Sequence, residues 1–326
     1  MTVLVTGSAG FIGYHTCVAL LERGERVVGI DNLNEYYDVS LKKARTSKLD
    51  AYQGFSFHHA DITDGEAVAE IERLNPKTTR IVHLAAQAGV RYSLENPYAY
   101  VQTNVVGQLN ILELARRLDA LEHLVYASSS SVYGDNSDLP FAVSDRVDTP
   151  ISLYAATKRT DELMGHCYSH LYRIPATGLR FFTVYGPWGR PDMAAYKFAK
   201  AIFDGQPISV FNNGDMKRDF TYVDDIVVGV IAALDKIPPD KESVPPHRLY
   251  NIGNNHPEDL MRFIAVIEAA TGLRAELQLE PMQPGDVRET YADLGESERE
   301  LGYRPKVTID EGIPRFIEWF RSYYGY

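Results

Sequence analysis

Two side chains that can move a proton lie four residues apart, and a run of hydroxyls precedes them in the chain. Tyr154 and Lys158 belong to "LYAATK", a helix-favouring stretch, so both are expected on one helix face. A free tyrosine has a pKa of about 10, and a neighbouring ammonium stabilises a phenolate, so the pair suits acid–base chemistry near neutral pH. The earlier stretch "ASSSSVYG" (127–134) ends an apolar segment with four serines. These serines either form a solvated loop or share a site with the pair.

The glycine spacing near the N-terminus predicts a dinucleotide site. Gly7, Gly10 and Gly13 follow an apolar segment and open a helical one. Glycine there permits a tight turn, and backbone amides at the helix N-terminus can hold a pyrophosphate. Asp31 ends the next apolar segment, where a carboxylate binds ribose hydroxyls and repels a 2′-phosphate, so NAD is favoured over NADP. Asp61, which ends the third such segment, is expected to meet the adenine edge.

The alternation of short apolar segments and amphipathic stretches predicts how these residues are positioned. Strands are predicted at 2–6, 26–30, 55–59, 80–85, 123–128 and 175–180, and helices at 11–23, 64–74, 98–117 and 152–171. Such a pattern is typical of an α/β, Rossmann-type fold, a doubly wound parallel sheet that binds ligands at the carboxyl ends of its strands. Beyond residue 180 the pattern is mixed, with helices predicted at 194–204, 224–235, 257–271 and 308–323 and a surface excursion at 237–247.

This change of pattern predicts two domains. A Rossmann domain that binds NAD is expected at 1–180, and a smaller mixed α/β substrate-binding lobe at 181–326, with the chain crossing back between them.

Composition excludes several broad classes of function. The 326 residues carry a formal charge of −11, which argues against nucleic acid or an anionic membrane as a partner. No apolar run reaches the length of about 18 residues that a membrane span needs, and the N-terminus lacks the basic start of a signal peptide. Two cysteines suggest no disulfide framework, and His166 and His170 lack a third ligand, so no metal is expected. We expect a cytoplasmic protein.

The motifs together resemble those of the extended short-chain dehydrogenases/reductases, the NAD-dependent epimerase/dehydratase family. The resemblance covers nearly the whole chain and rests on "TGSAGFIG", "HLAAQAGVRYS", "NVVGQLNILE", "ASSSSVYG", "YAATK", "LRFFTVYGPWGRPDM" and "RDFTYVDDIV". Within this family the motifs are most similar to those of UDP-glucuronate 4-epimerases. The resemblance implies tightly bound NAD, a UDP-sugar substrate and transient oxidation at C4, which would convert UDP-glucuronic acid to UDP-galacturonic acid.

The same resemblance assigns roles to individual residues. It makes Ser129 the hydroxyl partner of catalytic Tyr154 and Lys158, and Asn104 a support for the lysine. It places Arg218 and Arg288 on the substrate diphosphate and Phe211 beside the uracil. It also implies a homodimer formed through the helices at 98–117 and 152–171. The expected cofactor contacts are Gly7, Gly10, Phe11, Ile12, Gly13, Asp31, Asn32, Asp61, Ile62, Leu84, Ala85, Ala86, Asn104, Tyr154 and Lys158.

Two local features discriminate among related reactions. Dehydratases of this family carry an Asp-Glu pair after the catalytic hydroxyl, and UDP-glucuronate decarboxylases usually carry a glutamate, whereas this chain has Ser130 and Ser131. These serines argue against dehydration and, less firmly, against decarboxylation. Arg190 in "GPWGRPDM" presents a guanidinium suited to the C6 carboxylate of a uronate. Thr183, Ser130 and Ser131 are expected helpers, and Arg91 is a weaker candidate for the same pocket.

Three alternatives remain open from the sequence. A UDP-glucose/UDP-galactose 4-epimerase would not need Arg190. A UDP-glucuronate decarboxylase is disfavoured by Ser131. A non-catalytic NAD-sensing protein would have no need of the proton-transfer residues.

Overall fold

The strands and helices follow the predicted alternation through most of the chain. The computed structural model describes residues 1–283 and 285–326. The strands are β1 (Thr2–Thr6), β2 (Arg26–Asp31), β3 (Phe55–His59), β4 (Arg80–His83), β5 (His123–Ser129), β6 (Ala176–Phe181), β7 (Thr183–Tyr185), β8 (Ile208–Val210), β9 (Lys217–Tyr222), β10 (His247–Ile252), β11 (Pro257–Asp259), β12 (Leu277–Leu279) and β13 (Glu289–Thr290). The helices are α1 (Phe11–Glu22), α2 (Val39–Leu49), α3 (Gly65–Leu74), α4 (Tyr92–Glu95), α5 (Pro97–Tyr100), α6 (Gly107–Arg117), α7 (Leu153–Tyr172), α8 (Ala194–Phe203), α9 (Val223–Asp235), α10 (Leu260–Thr271), α11 (Gly295–Leu301) and α12 (Ile309–Tyr324).

A seven-stranded parallel sheet lies at the centre of the first unit. Its strand order is β10-β6-β5-β4-β1-β2-β3, so the chain winds outward from β1 in both directions. The inner strands β1, β4 and β5 are mainly apolar on both faces because helices cover both, and Val3, Val82 and Val125 are fully buried. The direction of winding reverses between β1 and β4, and the carboxyl ends of these two strands open the crevice where such sheets bind ligands. The predicted fold class is confirmed.

The structure differs from the prediction at four elements, one of which is β10, a strand that was not predicted. The helix predicted at 98–117 is divided into α5, a π-helical turn (Val101–Val106) and α6. The first three residues of the helix predicted at 257–271 form strand β11 instead, because they pair with β9. The helix itself, α10, starts after them. Helix α2 was not predicted at all.

The second unit is built around β9, and the chain returns from it to the first sheet. Strand β9 pairs with β7 and β13 in parallel and with β11 antiparallel. Phe220 of β9 stacks on Phe263 of α10, with ring centroids 3.8 Å apart. Strand β10 joins β6 in the first sheet, and α9 packs on α1. We therefore propose a division near residue 180 in which α9 and β10 are counted with the first unit.

The helices of residues 1–283 and 285–326 include none with both the length and the apolar character that a bilayer crossing requires.

Candidate active site

A cavity of about 960 Å³ lies over the carboxyl ends of the sheet strands and extends to the second unit. It brings together most of the residues that the sequence singled out. Those that line it are Gly7, Gly10, Phe11, Ile12, Gly13, Asp31, Asn32, Ile62, Leu84, Ala85, Ala86, Arg91, Ser129, Ser130, Ser131, Tyr154, Lys158, Thr183, Arg190, Phe211 and Arg218. Asp61, Asn104 and Arg288 are not among the lining residues.

The glycine loop forms a cradle that fits a dinucleotide pyrophosphate. Gly7 has a φ of +71°, and its amide donates to the Ile30 carbonyl at 2.7 Å. A Cβ on Gly13 would lie 2.0 Å from the Gly7 carbonyl oxygen, so no other residue fits there. Helix α1 starts after Gly10 with no side-chain cap, which leaves its first amides free to bind an anion.

The Gly13→Ala variant is expected to lose bound NAD. The added methyl must push the loop away from the Gly7 carbonyl and so distort the cradle, and purified protein should contain about tenfold less NAD than the wild type. Absorbance of cofactor released by acid precipitation measures this. Gly65→Ala is the matched control, because Gly65 also opens a helix but its added Cβ would meet nothing closer than 3.7 Å. Full NAD content in Gly13→Ala would contradict the cradle.

Asp31 is placed for the adenosine ribose, and Lys42 is a neighbour that the sequence did not reveal. The Asp31 carboxylate accepts from the amides of Ala9 (3.1 Å) and Leu33 (2.8 Å), while burial raises its pKa. Lys42 on α2 donates to Asn34 Oδ1 at 2.6 Å and lines the same part of the cavity. Burial lowers the pKa of Lys42, and the Asp31 charge opposes that effect.

Asp61 was predicted to meet the adenine edge, and that contact stays a prediction, because the structure shows only its bonds to neighbouring residues. Its carboxylate accepts from Asn32 Nδ2 at 2.7 Å and from the amide and hydroxyl of Thr63, both at 2.8 Å. These short local bonds hold the carboxylate within its own loop. Asp61 therefore orients Asn32, and Asn32 is the residue that lines the cavity.

Helix α7 presents Tyr154 and Lys158 to the cavity. The Ser152 hydroxyl caps the helix by accepting the Ala155 amide at 3.1 Å, which starts α7 one residue before half-buried Tyr154. The Lys158 ammonium donates to the Ala127 carbonyl and to Asp161 Oδ2, both at 2.9 Å. An ammonium has three N–H donors, so one remains for the cavity. Burial raises the pKa of Asp161 to about 6, although Lys158 opposes the shift.

The four serines have two different roles. The Ser128 hydroxyl donates to Glu162 at 2.6 Å, and Glu162 is held by both arms of buried Arg180. Ser128 is therefore part of the packing between β5 and α7. Ser129 Oγ accepts the Ser131 amide and donates to Ser131 Oγ, both at 3.1 Å. This turn (Ser130–Tyr133) aligns the remaining hydroxyls along the cavity wall that Tyr154 shares.

Asn104 supports the catalytic helix from the π-helical turn. Its side chain is buried, accepts the Gln87 amide at 2.8 Å, and donates to the Gln87 carbonyl (3.0 Å) and the Thr157 hydroxyl (2.9 Å). The predicted supporting role fits this position, but the predicted cofactor contact does not, because these three bonds use the amide inside the protein. Single π-helical turns are frequent at functional sites.

Arg190 lines the cavity, and Asp192 already occupies one side of its guanidinium. Arg190 Nε donates to Asp192 Oδ1 at 3.0 Å, and Nη2 donates to Oδ2. Burial disfavours the charge of Arg190, but Asp192 raises its pKa above the ordinary value. Arg45 of α2 fixes this loop by donating to the carbonyls of Ala9 (2.8 Å) and Trp188 (2.6 Å). Arg45 thereby ties the glycine loop to the loop that carries Arg190.

At the far end of the cavity the basic residues take positions that only partly match the prediction. Arg91 stacks on the Phe211 ring at 4.2 Å and pairs with Asp286 at 3.1 Å, so it lies beside the residue predicted for the uracil. Arg218 lines the cavity and donates to the Arg288 carbonyl at 3.0 Å. The Arg288 side chain, predicted for the diphosphate, instead forms an exposed pair with Asp215 at 3.0 Å. The Arg288 carbonyl accepts the Lys217 amide of β9 at 2.9 Å, and its side chain is exposed.

Comparison with known proteins identifies the family. The family model described as GDP-mannose 4,6 dehydratase matches residues 4–316. The chain belongs to this family, within the extended short-chain dehydrogenases/reductases. A probable UDP-glucuronate 4-epimerase from Rhizobium meliloti is 47% identical, over 99% of this chain and 98% of that protein.

Two solved structures share the fold over nearly their full length. The UDP-glucuronic acid 4-epimerase of Bacillus cereus, in complex with UDP-glucuronic acid and NAD, has a TM-score of 0.89 at 33% identity and covers 99% of this chain and 100% of that one. The UDP-glucose 4-epimerase of Thermotoga maritima with UDP-glucose has a TM-score of 0.88 at 29% identity, with 99% of each chain covered. The fold thus accommodates acidic and neutral sugars, and the residues around C6 must discriminate between them.

Proposed function

We propose that the protein is an NAD-dependent epimerase that inverts C4 of UDP-glucuronic acid to give UDP-galacturonic acid. One observation carries the proposal. Three hydroxyls, Ser129 to Ser131, line the same cavity as Tyr154, Lys158 and Arg190, at a strand end where a dehydratase would need carboxylates. The names of the relatives and of the Bacillus cereus structure support the same reaction.

In the proposed mechanism Tyr154 is the base and Ser129 its partner. Tyr154 takes the proton from O4, while the Ser129 hydroxyl shares a hydrogen bond with the same oxygen. Lys158, fixed by Ala127 and Asp161, directs its third N–H into the cavity and stabilises the phenolate. The glycine loop and Asp31 would hold NAD, which when bound would supply the acceptor and donor of the C4 hydride. Arg218 holds the diphosphate while the sugar turns, and Tyr154 then returns the proton.

The C6 carboxylate requires control because the 4-keto sugar is a β-keto acid. It loses CO₂ when the C5–C6 bond aligns with the carbonyl π-system, so that the electron pair of that bond passes into the enolate at C4–C5. Ser130, Ser131, Thr183 and Arg190 are proposed to hold the carboxylate localised and out of this alignment. The cavity then favours return of hydride over loss of CO₂.

The Arg190→Ala variant is expected to bind UDP-glucuronate about 10- to 100-fold more weakly and to release UDP-pentose. Loss of a charge-assisted hydrogen bond costs about 1.5–3 kcal/mol, and Asp192 would then repel the substrate carboxylate without the Arg190 charge to balance it. Calorimetry measures the affinity, and proton NMR measures the pentose. Arg146→Ala, whose side chain is almost fully exposed, is the control. Unchanged affinity together with no pentose would remove Arg190 from carboxylate recognition.

A UDP-glucose/UDP-galactose 4-epimerase is the second candidate, favoured by the similarity to the Thermotoga maritima enzyme. Proton NMR of UDP-glucuronate with purified protein and no added cofactor separates the candidates. UDP-galacturonate without accumulation of NADH supports the proposal, since the reaction has no net redox change. A UDP-pentose as the main product would indicate a decarboxylase. Activity on UDP-glucose alone would favour the second candidate, and inertness toward both would favour an NAD sensor.

We also propose that the protein is a cytoplasmic homodimer. Helices α6 and α7 carry exposed apolar side chains, among them Leu109, Leu163, Leu171 and Tyr172, which suit burial against a second copy. Both cysteines are free thiols, as is usual in a reducing compartment.

A further inference from the structure

Asp192 binds one of the two N–H edges through which the Arg190 guanidinium can bind a carboxylate. Its oxygens accept from Nε and Nη2. A guanidinium has five N–H donors, so Nη1 and the second hydrogen of Nη2 form another fork. The geometry of a planar guanidinium lets these two forks bind two carboxylates at once. Both Arg190 and Asp192 line the cavity.

Asp192 is itself held where three loops converge. The Tyr36 hydroxyl, in the loop after β2, donates to Asp192 Oδ2 at 3.2 Å. Gly89, in the loop after β4, has a φ of +105°, and a Cβ there would lie 2.9 Å from the Tyr36 oxygen and 3.5 Å from Asp192 Oδ2. The loop after β7 carries Asp192 itself. The carboxylate therefore has a fixed position relative to the sheet.

The Arg190–Asp192 pair is ionised but neutral overall. Burial raises the pKa of Asp192, but the Arg190 charge and hydrogen bonds outweigh this effect and hold it below the ordinary value. A ligand carboxylate approaching such a pair meets attraction from Arg190 and repulsion from Asp192. It gains affinity only where the free fork of Arg190 faces it, so orientation of the guanidinium decides the outcome.

We propose that Asp192, fixed by Tyr36, is a positioning residue that holds the Nε side of Arg190 and presents its free fork to the C6 carboxylate. The inference rests on the proposed function, which supplies that carboxylate. By this inference Asp192 determines the preference for a uronate and the resistance to decarboxylation. It acts through Arg190 and does not contact the substrate itself. Asp192 lowers the net charge beside the substrate. By orienting Arg190 it nevertheless increases the preference for UDP-glucuronate over UDP-glucose.

The test compares Asp192→Asn and Tyr36→Phe with the wild type. Calorimetry gives the affinities for UDP-glucuronate and UDP-glucose, and proton NMR gives the fraction of pentose among the products. Asp192→Asn is expected to lower the ratio of the two affinities about tenfold and to raise the pentose fraction. Tyr36→Phe is expected to move both in the same direction by a smaller factor. Asp38→Asn is the control, since asparagine can replace this exposed helix cap.

Combining Asp192→Asn with the Arg190→Ala background tests whether Asp192 affects the affinity ratio through Arg190. If Asp192 acts through Arg190, Asp192→Asn no longer lowers the affinity ratio in that background. An equal drop in both backgrounds would overturn the inference, as would unchanged affinity ratio and pentose fraction in both Asp192→Asn and Tyr36→Phe. A wild type that makes no UDP-galacturonate would count instead against the proposed function, which the same NMR spectra report separately.

Discussion

The Tyr154→Phe variant is expected to lower kcat for UDP-glucuronate epimerisation by about 10²- to 10⁴-fold, the usual contribution of a positioned acid–base group. Phenylalanine retains the ring and removes only the hydroxyl. The Tyr154 ring packs edge-on against Tyr100 with centroids 6.0 Å apart, and this contact persists in the variant. The loss therefore reports proton transfer rather than folding.

The substrate and cofactor affinities of Tyr154→Phe should stay within a few-fold of the wild type. Arg190, Arg218 and the glycine loop are unchanged, and they supply the proposed binding contacts. Turnover measured by NMR and affinity measured by calorimetry separate the two effects. Tyr98→Phe is the control, because Tyr98 is 81% exposed and lies outside the cavity. A kcat within threefold of the wild type would mean that another group accepts the O4 proton.

The sequence predicts the fold and the family because strong local patterns encode both. The six predicted strands are all in the sheet. The inner strands are mainly apolar runs buried on both faces, whereas β3 at the edge is partly exposed. Strand β10 was missed because it starts at His247 in a segment rich in proline and charge, and only its pairing with β6 makes it a strand. Helix α2 was missed because Lys42 and Arg45 are buried among its apolar positions and interrupt the hydrophobic stripe.

In the candidate site, too, the residues within local motifs were predictable from the sequence, whereas their partners from distant segments were not. Tyr154 with Lys158, and the glycines with Asp31, follow motifs in which spacing alone sets geometry. The partners that orient them come from distant segments. Arg45 meets Trp188 across 143 residues of sequence, and Asp192 meets Tyr36 across 156 residues. Arg288, in contrast, pairs with Asp215 on the surface, and its role at the diphosphate stays a prediction.

Four histidines are expected to make the protein unstable in mild acid, of which His83 and His123 are buried and His15 and His247 half-buried. Burial lowers the pKa of His15, His123 and His247 to about 4 and that of His83 to about 3. In the unfolded chain histidine titrates at about 6.5. Below that pH the histidines are protonated in the unfolded state but not in the folded state. The free energy of unfolding therefore decreases as the pH falls.

The free energy of unfolding should decrease by up to about 5 kcal/mol between pH 7.5 and 5.5. Each histidine contributes about 1.4 kcal/mol over this interval, because one pKa unit corresponds to 1.36 kcal/mol. Asp161 acts in the opposite sense, since its pKa of about 6 lies above that of a free carboxyl and its protonation favours the folded state. Burial also raises the pKa of Asp31 and of Asp219, and these carboxyls offset part of the effect of the four imidazoles. The loss is comparable with the whole stability of a typical domain, about 5–15 kcal/mol.

Urea unfolding at the two pH values tests this expectation, and His123 identifies its source. The His123 ring shares hydrogen bonds with the Thr177 hydroxyl (2.9 Å) and the Leu234 carbonyl (3.1 Å), so His123→Gln is less stable at pH 7.5. Its stability should nevertheless change less with pH, by about 1.4 kcal/mol, because one buried imidazole is gone. His170→Gln, at an exposed position, should keep the full pH dependence. Equal slopes in the wild type and His123→Gln would show that His123 has the same pKa in the folded and unfolded states, so that it does not contribute to the acid lability.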